Sequence, residues 1–311
     1  MDLTDAVFLR REAVAEGYSD RAIRALVRGG VWHRVRRGAY CSGEMWRSLS
    51  DADQHRVLCR AVLRASHPTT VLSHHSAAIE LGVPVWNANL LEVHVTRTDG
   101  QTGRREANVV RHCGVLPDDH VVELRDVRVT MASRVAVEMT TVSSVESALV
   151  VVNGLLNAGA TTVDEVTALA SDLRFWPHSL SAEIVMRLAD PRIESVGESR
   201  TLFMCWGQHL PRPTPQVKVY DEHGALFARL DFAWPQYGVF LEFDGREKYQ
   251  RFRLEGETLD EFLMREKRRE ERVCLLTGWV CIRITWADLA RPATTAGRIR
   301  RLLARRTPRG A

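Results

Sequence analysis

Two neighbouring stretches decide the fold of the C-terminal part of the chain, LDFAWP at residues 230–235 and FLEFDGREKY at residues 240–249. Each joins apolar residues to a carboxylate, and a Trp-Pro-Gln turn separates them. Apolar runs bounded by turn residues are typical of strands, so we predict strands over residues 226–233 and 238–243. A third strand is predicted at residues 216–220.

Carboxylates lie near the ends of these strands. Asp231 lies in the strand predicted at residues 226–233. Glu242 and Asp244 lie near the end of the strand predicted at residues 238–243, and because they are two residues apart they point to one face. Glu198 is placed four residues after Glu194 on one face of a preceding helix. Clustered carboxylates are costly unless a cation neutralises them, and hard oxygen ligands select Mg²⁺ or Mn²⁺. The spacing therefore predicts a divalent metal site.

The N-terminal segment has the element order of a winged helix-turn-helix. A helix over residues 3–16 precedes a second helix, Asp20 to Arg28, with Ser19 as its N-cap. Short strands at residues 31–35 and 38–41 form a basic ribbon. Such a helix can enter a DNA major groove while the ribbon contacts phosphates, although winged helices also serve protein contacts. The candidate DNA contacts are Arg21, Arg24, Arg28, Arg34, Arg36 and Arg37.

The middle of the chain shows no catalytic constellation. Strands are predicted at residues 90–97, 108–116 and 120–130, followed by helix over residues 132–157, where Glu138 is assigned to a solvated face. The adjacent pair His74 and His75 has no carboxylate or cysteine at ligand spacing, so the pair does not indicate a metal site.

Four stretches carry a resemblance to the antitoxins of type IV abortive-infection systems. They are the segment from Phe8 to Tyr40 with its AVAEGYSDRAIRALVRGGVWHRVRRGAY (residues 13–40), VLSHHSAAIELGVP (residues 71–84), the LEVHVTR strand (residues 91–97) and VTMASRVAVEM (residues 129–139). The resemblance covers roughly residues 5–160 and implies a DNA-binding regulator that represses its own operon and counters a toxin protein. The chain departs from that family where Arg134 is followed by Val135 rather than by Thr, and where Glu138 replaces Asp.

The C-terminal part resembles the PD-(D/E)XK nucleases, and more closely the very-short-patch-repair endonucleases. The resemblance rests on the two stretches quoted first and on REKRREERVCLLTGWVCIRITWADL (residues 265–289). It implies that Asp231 and Glu242 are metal ligands and that Glu198 is a ligand or orients the attacking water. In the parent motif a lysine follows the Glu by two residues, whereas this chain has Asp244 there. Either Lys248 takes the place of that lysine, or Asp244 joins the metal ligands and the function of the lysine is lost.

A charged helix is predicted over residues 259–276. Charges alternate in sign along one side of this helix, which predicts a solvated, salt-bridged face made of Glu266, Arg269, Glu270 and Arg272. By analogy with nucleases of this type, Lys267, Arg268 and Arg272 are candidate contacts to the DNA backbone.

The sequence therefore predicts an α/β protein, α+β overall. The predicted domains are a winged helix-turn-helix at 1–48, an antitoxin-like middle domain at 49–160, a helical linker at 161–190, and a restriction-endonuclease-like domain with a central mixed sheet at 191–311. The net charge is +4, and no apolar run is long enough for a membrane span or a signal peptide, so a cytoplasmic location is expected. The resemblances imply a Mg²⁺- or Mn²⁺-dependent endonuclease acting on DNA in phage defence or a toxin–antitoxin system. The alternative is a non-catalytic antitoxin and autorepressor with a degraded nuclease fold.

Overall fold

The chain folds into two compact units, Met1–Arg187 and Leu188–Ala311, called here the N-terminal and C-terminal units. The computed structural model describes residues 3, 6–101, 105, 106, 108–176, 179–245 and 256–306. Within these residues it contains thirteen α-helices and three β-sheets, which confirms the α+β class. None of the helices in the described ranges has the length and apolar character that a membrane span requires.

The first sheet belongs to a small helix–helix–ribbon module. Its elements are β1 (Phe8–Leu9), α1 (Arg10–Ala15), α2 (Asp20–Arg28), β2 (Trp32–Arg36) and β3 (Ala39–Ser42), with strand order β1-β3-β2. The prediction of one helix over residues 3–16 is wrong, because Phe8 pairs with Tyr40 in β3 and its ring packs edge-on against Trp32. Ser19 caps α2 as predicted, accepting a hydrogen bond from the backbone N–H of Ala22 at 3.2 Å.

A six-stranded mixed sheet forms the centre of the rest of the N-terminal unit, with strand order β6-β7-β5-β4-β9-β8. Its elements are α3 (Gly43–Ser48), α4 (Asp51–Leu63), β4 (Thr70–Leu72), α5 (His74–Glu80), β5 (Val93–Arg97), β6 (Arg105–Glu106), β7 (Val109–His112), β8 (Val121–Leu124), β9 (Val127–Thr130), α6 (Ala132–Val142), α7 (Val145–Asn157), α8 (Val163–Asp172) and α9 (Ser179–Leu188).

Glu138 of α6 is buried rather than solvated, with only 1% of its surface exposed. Its Oε1 accepts a hydrogen bond from Nε of Arg134 at 2.9 Å. The spacing of four residues between Arg134 and Glu138 permits this ion pair on a helix, but it gave no sign that the pair is buried, since a carboxylate on a helix is usually exposed.

The C-terminal unit is built on a four-stranded sheet with order β10-β11-β12-β13. Its elements are α10 (Val196–Gly207), β10 (Thr214–Tyr220), β11 (Leu226–Trp234), β12 (Val239–Asp244), α11 (Leu259–Thr277), β13 (Val280–Thr285), α12 (Trp286–Leu289) and α13 (Pro292–Ala304). The first two strand pairings are antiparallel and β12 pairs with β13 in parallel, so this sheet is mixed.

Helices cover both faces of this sheet. Leu241 and Phe243 pack in one core cluster with Leu202 of α10 and Ile299 of α13. Phe240, on the opposite face, packs with Val273 of α11. Because side chains alternate along β12, Glu242 and Asp244 share the face of Phe240 and point toward α11.

Candidate active site

Glu198 is fixed at the N-terminus of α10 by three donors. The hydroxyl of Ser195 donates to its Oε1 at 2.7 Å, and the backbone N–H of Glu194 donates to its Oε2 at 3.1 Å. The amide of Gln216 also donates to Oε2, at 2.9 Å. Burial raises the pKa of Glu198, and the negative charge of Asp231 raises it further. Asp231 is therefore close enough for its charge to act on Glu198.

Glu194 does not share the helical face predicted for it, because α10 begins only after its N-cap, Ser195. The Glu194 side chain instead pairs with Arg229 of β11 at 2.7 Å.

Asp231 lies where β11 runs beside β12. The paired register, in which Phe232 lies opposite Leu241, would place Asp231 opposite Glu242. The Oδ2 atom of Asp231 accepts a hydrogen bond from the backbone N–H of Phe243 at 2.8 Å. Asp231 and Glu242 are both buried, at 9% and 3% exposure. The adjacency that the sequence predicted from a short turn between two strands is therefore present.

Asp244 is held by an arginine from the neighbouring strand. Nη1 of Arg283 lies 2.9 Å from both carboxylate oxygens of Asp244, and Nε of the same guanidinium donates to Glu270 of α11 at 2.6 Å. Although burial opposes the charge, the bonds to Asp244 and Glu270 raise the pKa of Arg283. The position that carries lysine in the parent motif is thus an acid already paired with a cation.

A second arginine reaches the cluster from α11. Nη2 of Arg269 lies 3.4 Å from Oε2 of Glu242, and Nε of Arg269 lies 3.2 Å from Glu266. Arg269, Glu266 and Glu270 are half-buried. The predicted salt bridges of this helix are present, but Arg269 and Glu270 are not freely solvated, because they contact Glu242 and Arg283 of the sheet.

Gln216 carries backbone strain at the same place. Its φ is +53°, in the left-handed region that residues with a Cβ rarely adopt, although it belongs to strand β10. Its register neighbours Pro215 and Val217 pair with Phe232 and Leu230, so Gln216 lies beside Asp231. Such strain is concentrated at functional sites. The strained residue is the one that donates to Glu198.

The remaining C-terminal candidates are spread more widely. Lys248 lies outside the described residues. Lys267 and Arg268 are exposed on α11. Arg272 is also exposed, but it pairs with Glu222 at 3.0 Å and lies over the ring of Phe227.

Five of the six N-terminal candidates lie between α2 and the ribbon or at the ribbon tip. Arg24 and Arg28 of α2 and Arg34 of β2 line one cavity of about 280 Å³ together with Ile23, Val27 and Tyr40. Arg37 lies in the turn between the strands, and Arg36 ends β2. Arg21 is exposed on α2. The α2 helix and the ribbon thus present arginines to a common surface.

Sequence reasoning missed Arg269, Arg283 and Gln216. Each lies on an element whose own pattern looks structural, and each contacts the site only through the tertiary fold. For Arg283 the signal would have been the register of β12 on β13, which places Glu242 opposite Arg283, and this parallel pairing is not visible in the sequence.

Comparison with known proteins assigns no family, since no family model matches the chain. Two Mycobacterium tuberculosis proteins, "uncharacterized protein MT2308" of strain CDC 1551/Oshkosh and "uncharacterized protein Rv2248" of strain H37Rv, are 30% identical over 127 residues. The match covers 40% of this chain and 43% of each relative, so the chain matches less than half the length of these relatives. The crystal structure of the Rv2827c protein from Mycobacterium tuberculosis is similar at 14% identity and a TM-score of 0.41, covering 72% of this chain and 88% of that one.

Proposed function

We propose that this chain binds DNA and that its C-terminal unit hydrolyses phosphodiester bonds with the help of Mg²⁺ or Mn²⁺. The observation that carries the proposal is a set of three buried carboxylates, Glu198, Asp231 and Glu242. The charge of Asp231 raises the pKa of Glu198, and Asp231 accepts a hydrogen bond from the backbone N–H of the residue that follows Glu242.

The donor set fits a hard divalent cation. Carboxylate oxygens are the ligands that Mg²⁺ and Mn²⁺ prefer, and a cation would remove the cost that burial and Asp231 impose on the ionised form of Glu198. Asp231 and Glu242 are assigned as ligands, with Asp244 as the third candidate. When bound, the ion supplies Lewis acidity toward a phosphodiester and lowers the pKa of a water molecule.

Other side chains of the protein are proposed to orient Glu198 and to supply positive charge. Gln216 and Ser195 orient the carboxylate of Glu198, which either binds the ion or accepts a proton from the attacking water. Arg269 and Arg283 bring positive charge to Glu242 and Asp244 from one side of the sheet. A guanidinium is well suited to a phosphate anion, so these two arginines take over the electrostatic role that the parent motif gives to lysine.

The N-terminal module is the proposed DNA-binding element. Arg24, Arg28 and Arg34 supply positive charge around a single cavity, which suits a helix in the groove and a ribbon on the backbone. By the resemblance of residues 5–160, the setting is phage defence or a toxin–antitoxin system, and a toxin protein is a proposed partner.

The test is cleavage of supercoiled plasmid, short DNA duplexes and RNA by the full chain with Mg²⁺ or Mn²⁺. We expect metal-dependent DNA cleavage that Asp231→Asn and Glu242→Gln both abolish. The matched control is Glu271→Gln, which removes an exposed carboxylate of α11 and should cut like the wild type.

A second function is favoured by one specific contact. Arg283 engages both oxygens of Asp244, so that carboxylate is neutralised without a metal. This favours a regulator whose nuclease fold only binds DNA or a partner. Suppose that the folded protein binds DNA but neither cuts nucleic acid nor binds Mn²⁺. This result would establish the regulator function and exclude the nuclease function.

A further inference from the structure

Three histidines converge in the middle of the N-terminal unit. His74 begins α5, His94 lies in β5 and His112 ends β7. One ring nitrogen from each lies within 4.8 Å of the others. Because they are distant in sequence and come from three elements, only the folded sheet brings them together.

His94 and His112 already have the spacing of two ligands of one ion. Nε2 of His112 lies 3.0 Å from Nδ1 of His94. Two imidazole nitrogens can face each other at this distance only with a proton or a cation between them. In a tetrahedral zinc site with bonds of about 2.0–2.1 Å, two ligand nitrogens lie about 3.3 Å apart. For an ion to replace the shared proton, the two nitrogens need to move apart by only about 0.3 Å, but the rings must turn so that both lone pairs point at the ion.

His74 has an unusual backbone conformation, and hydrogen bonds to its neighbours fix the position of its ring. Its φ is +54°, an unusual value for a residue with a Cβ. Its backbone N–H donates to Oε2 of Glu138 at 3.0 Å, and its Nδ1 lies 2.9 Å from Oγ of Ser73. Bonding at Nδ1 leaves Nε2 as the nitrogen for a ligand, the arrangement by which outer groups orient metal-binding histidines.

Within the described part of the chain, two further histidines whose rings lie near this cluster make different contacts. Nδ1 of His55 contacts the carbonyl of Leu90 at 2.8 Å, and Nε2 of His75 contacts the carbonyl of Glu92 at 2.9 Å. These two rings are used in hydrogen bonds to the backbone. The convergence is therefore specific to His74, His94 and His112.

The surroundings supply a compensating charge. Glu138 is buried beside His74, with its Oε2 3.8 Å from Nδ1 of the ring. Its own charge is shared with Arg134, which donates to Oε1. A carboxylate behind a ligating histidine raises the basicity of the ligand. His112 is only half-buried, which gives an ion a route to the cluster.

We propose that His74, His94 and His112 bind a transition metal ion of the zinc class. Imidazole favours Zn²⁺ and Co²⁺ over Mg²⁺, so this site selects a different ion from the carboxylate cluster and does not depend on the proposed nuclease activity. Three protein ligands leave one tetrahedral position for water. The rings of His74 and His112, stacked with centroids 3.6 Å apart, must turn so that their lone pairs converge. The ion ties the start of α5 to β5 and β7.

The test is Co²⁺ binding by the full, untagged chain after treatment with a chelator. We expect about one Co²⁺ per chain, with the intense visible absorption of a tetrahedral site, which Zn²⁺ displaces and Mg²⁺ does not. Bound metal should also raise the Tm by several degrees. His112→Gln should weaken binding by at least about tenfold. His67→Gln, which changes an exposed histidine of the same unit, should bind like the wild type.

Two further measurements keep the outcome clear. Asp231→Asn must retain the Co²⁺ spectrum, since a loss would place the ion at the carboxylate cluster. If His112→Gln fails to fold, NMR of wild-type protein with Co²⁺ replaces it, with paramagnetic shifts expected on the ring protons of three histidines. Absence of tight Co²⁺ or Zn²⁺ binding, or shifts confined to other histidines, overturns the proposal.

Discussion

Asp244 is the residue at which the two proposed functions separate. Both of its oxygens are engaged by Arg283, whereas Asp231 uses Oδ2 to fix the backbone of the adjacent strand beside Glu242. A carboxylate that already has a cation gains less from a metal than one that is held near other acids.

We therefore expect Asp244→Asn to slow metal-dependent cleavage by less than about tenfold, while Asp231→Asn abolishes it. Cleavage rates at saturating Mg²⁺ measure the difference. Equal loss of activity in both variants would make Asp244 a metal ligand.

Gln216 should act through Glu198 rather than on the substrate. Its amide hydrogen bond lowers the pKa of Glu198, against the larger upward effects of burial and of Asp231. In Gln216→Met this bond is removed, the pKa rises, and the acidic limb of the rate profile should move to higher pH. An unchanged profile with a lower rate would indicate only a structural role. Ser48→Ala, which alters an exposed hydroxyl of α3, controls for general effects of substitution.

His55 makes the N-terminal unit sensitive to acid. Burial lowers its pKa from 6.5 to about 4, with hydrogen bonding to Leu90 opposing this and His75 and Arg56 adding to it. Because the folded pKa is lowered, the contribution to stability is complete above about pH 6.5 and is lost as the pH falls toward 4. Between pH 6.5 and 4, the contribution of His55 to the free energy of unfolding falls by about 3 kcal/mol. In urea unfolding with chelator present, His55→Gln should show a weaker fall in stability over this range, and His67→Gln should follow the wild type.

At the scale of elements, the approach of α10 to β12 positions the site. A Cβ built on Gly197 would lie 2.1 Å from the ring of Phe243, so glycine is required for the helix to lie this close. The next residue is Glu198, and therefore the distance between helix and sheet sets where this carboxylate meets Asp231.

We expect Gly197→Ala to destabilise the protein by about 1–3 kcal/mol and to reduce cleavage in the fraction that remains folded. Gly207→Ala is the control, since a Cβ at this last residue of α10 meets nothing within 4 Å. Urea unfolding and cleavage rates of both variants test the idea, and equal stability of the two would contradict it.

At the scale of the whole molecule, DNA affinity and metal-dependent chemistry should be separable. Arg24→Ala combined with Arg28→Ala removes two cations from one cavity of the N-terminal unit. The slope of log K against log salt should fall by about 1 for each phosphate that the variant no longer neutralises, while Mn²⁺ binding is unchanged. Arg174→Ala, another exposed arginine of this unit, should leave the slope as it is. A constant slope in the double variant would exclude this surface as the DNA-binding surface.

The parts of the fold that follow from local patterns could be predicted, and those that depend on distant contacts could not. The strands carrying Asp231 and Glu242 follow from apolar alternation and a single turn, so their adjacency was accessible. Arg269 looked solvated because charges of alternating sign usually are. The histidine cluster could not be foreseen, because His74, His94 and His112 meet only through the parallel pairing of β5 with β7 and the packing of α5.

The parallel pairing of β12 with β13 also has a kinetic consequence. Strands β11 and β12 can pair early as a hairpin, since a short turn connects them. Strand β13 is separated from β12 by the segment that contains α11, so this longer loop must close before β13 can pair with β12. Pairings between distant segments form slowly, because loop closure is opposed by chain entropy. If β11 and β12 pair first, Asp231, Glu242 and Asp244 would lie near one another before Arg283 has docked, and their repulsion would oppose collapse. Salt screens this repulsion, so refolding of the C-terminal unit should be faster at higher ionic strength.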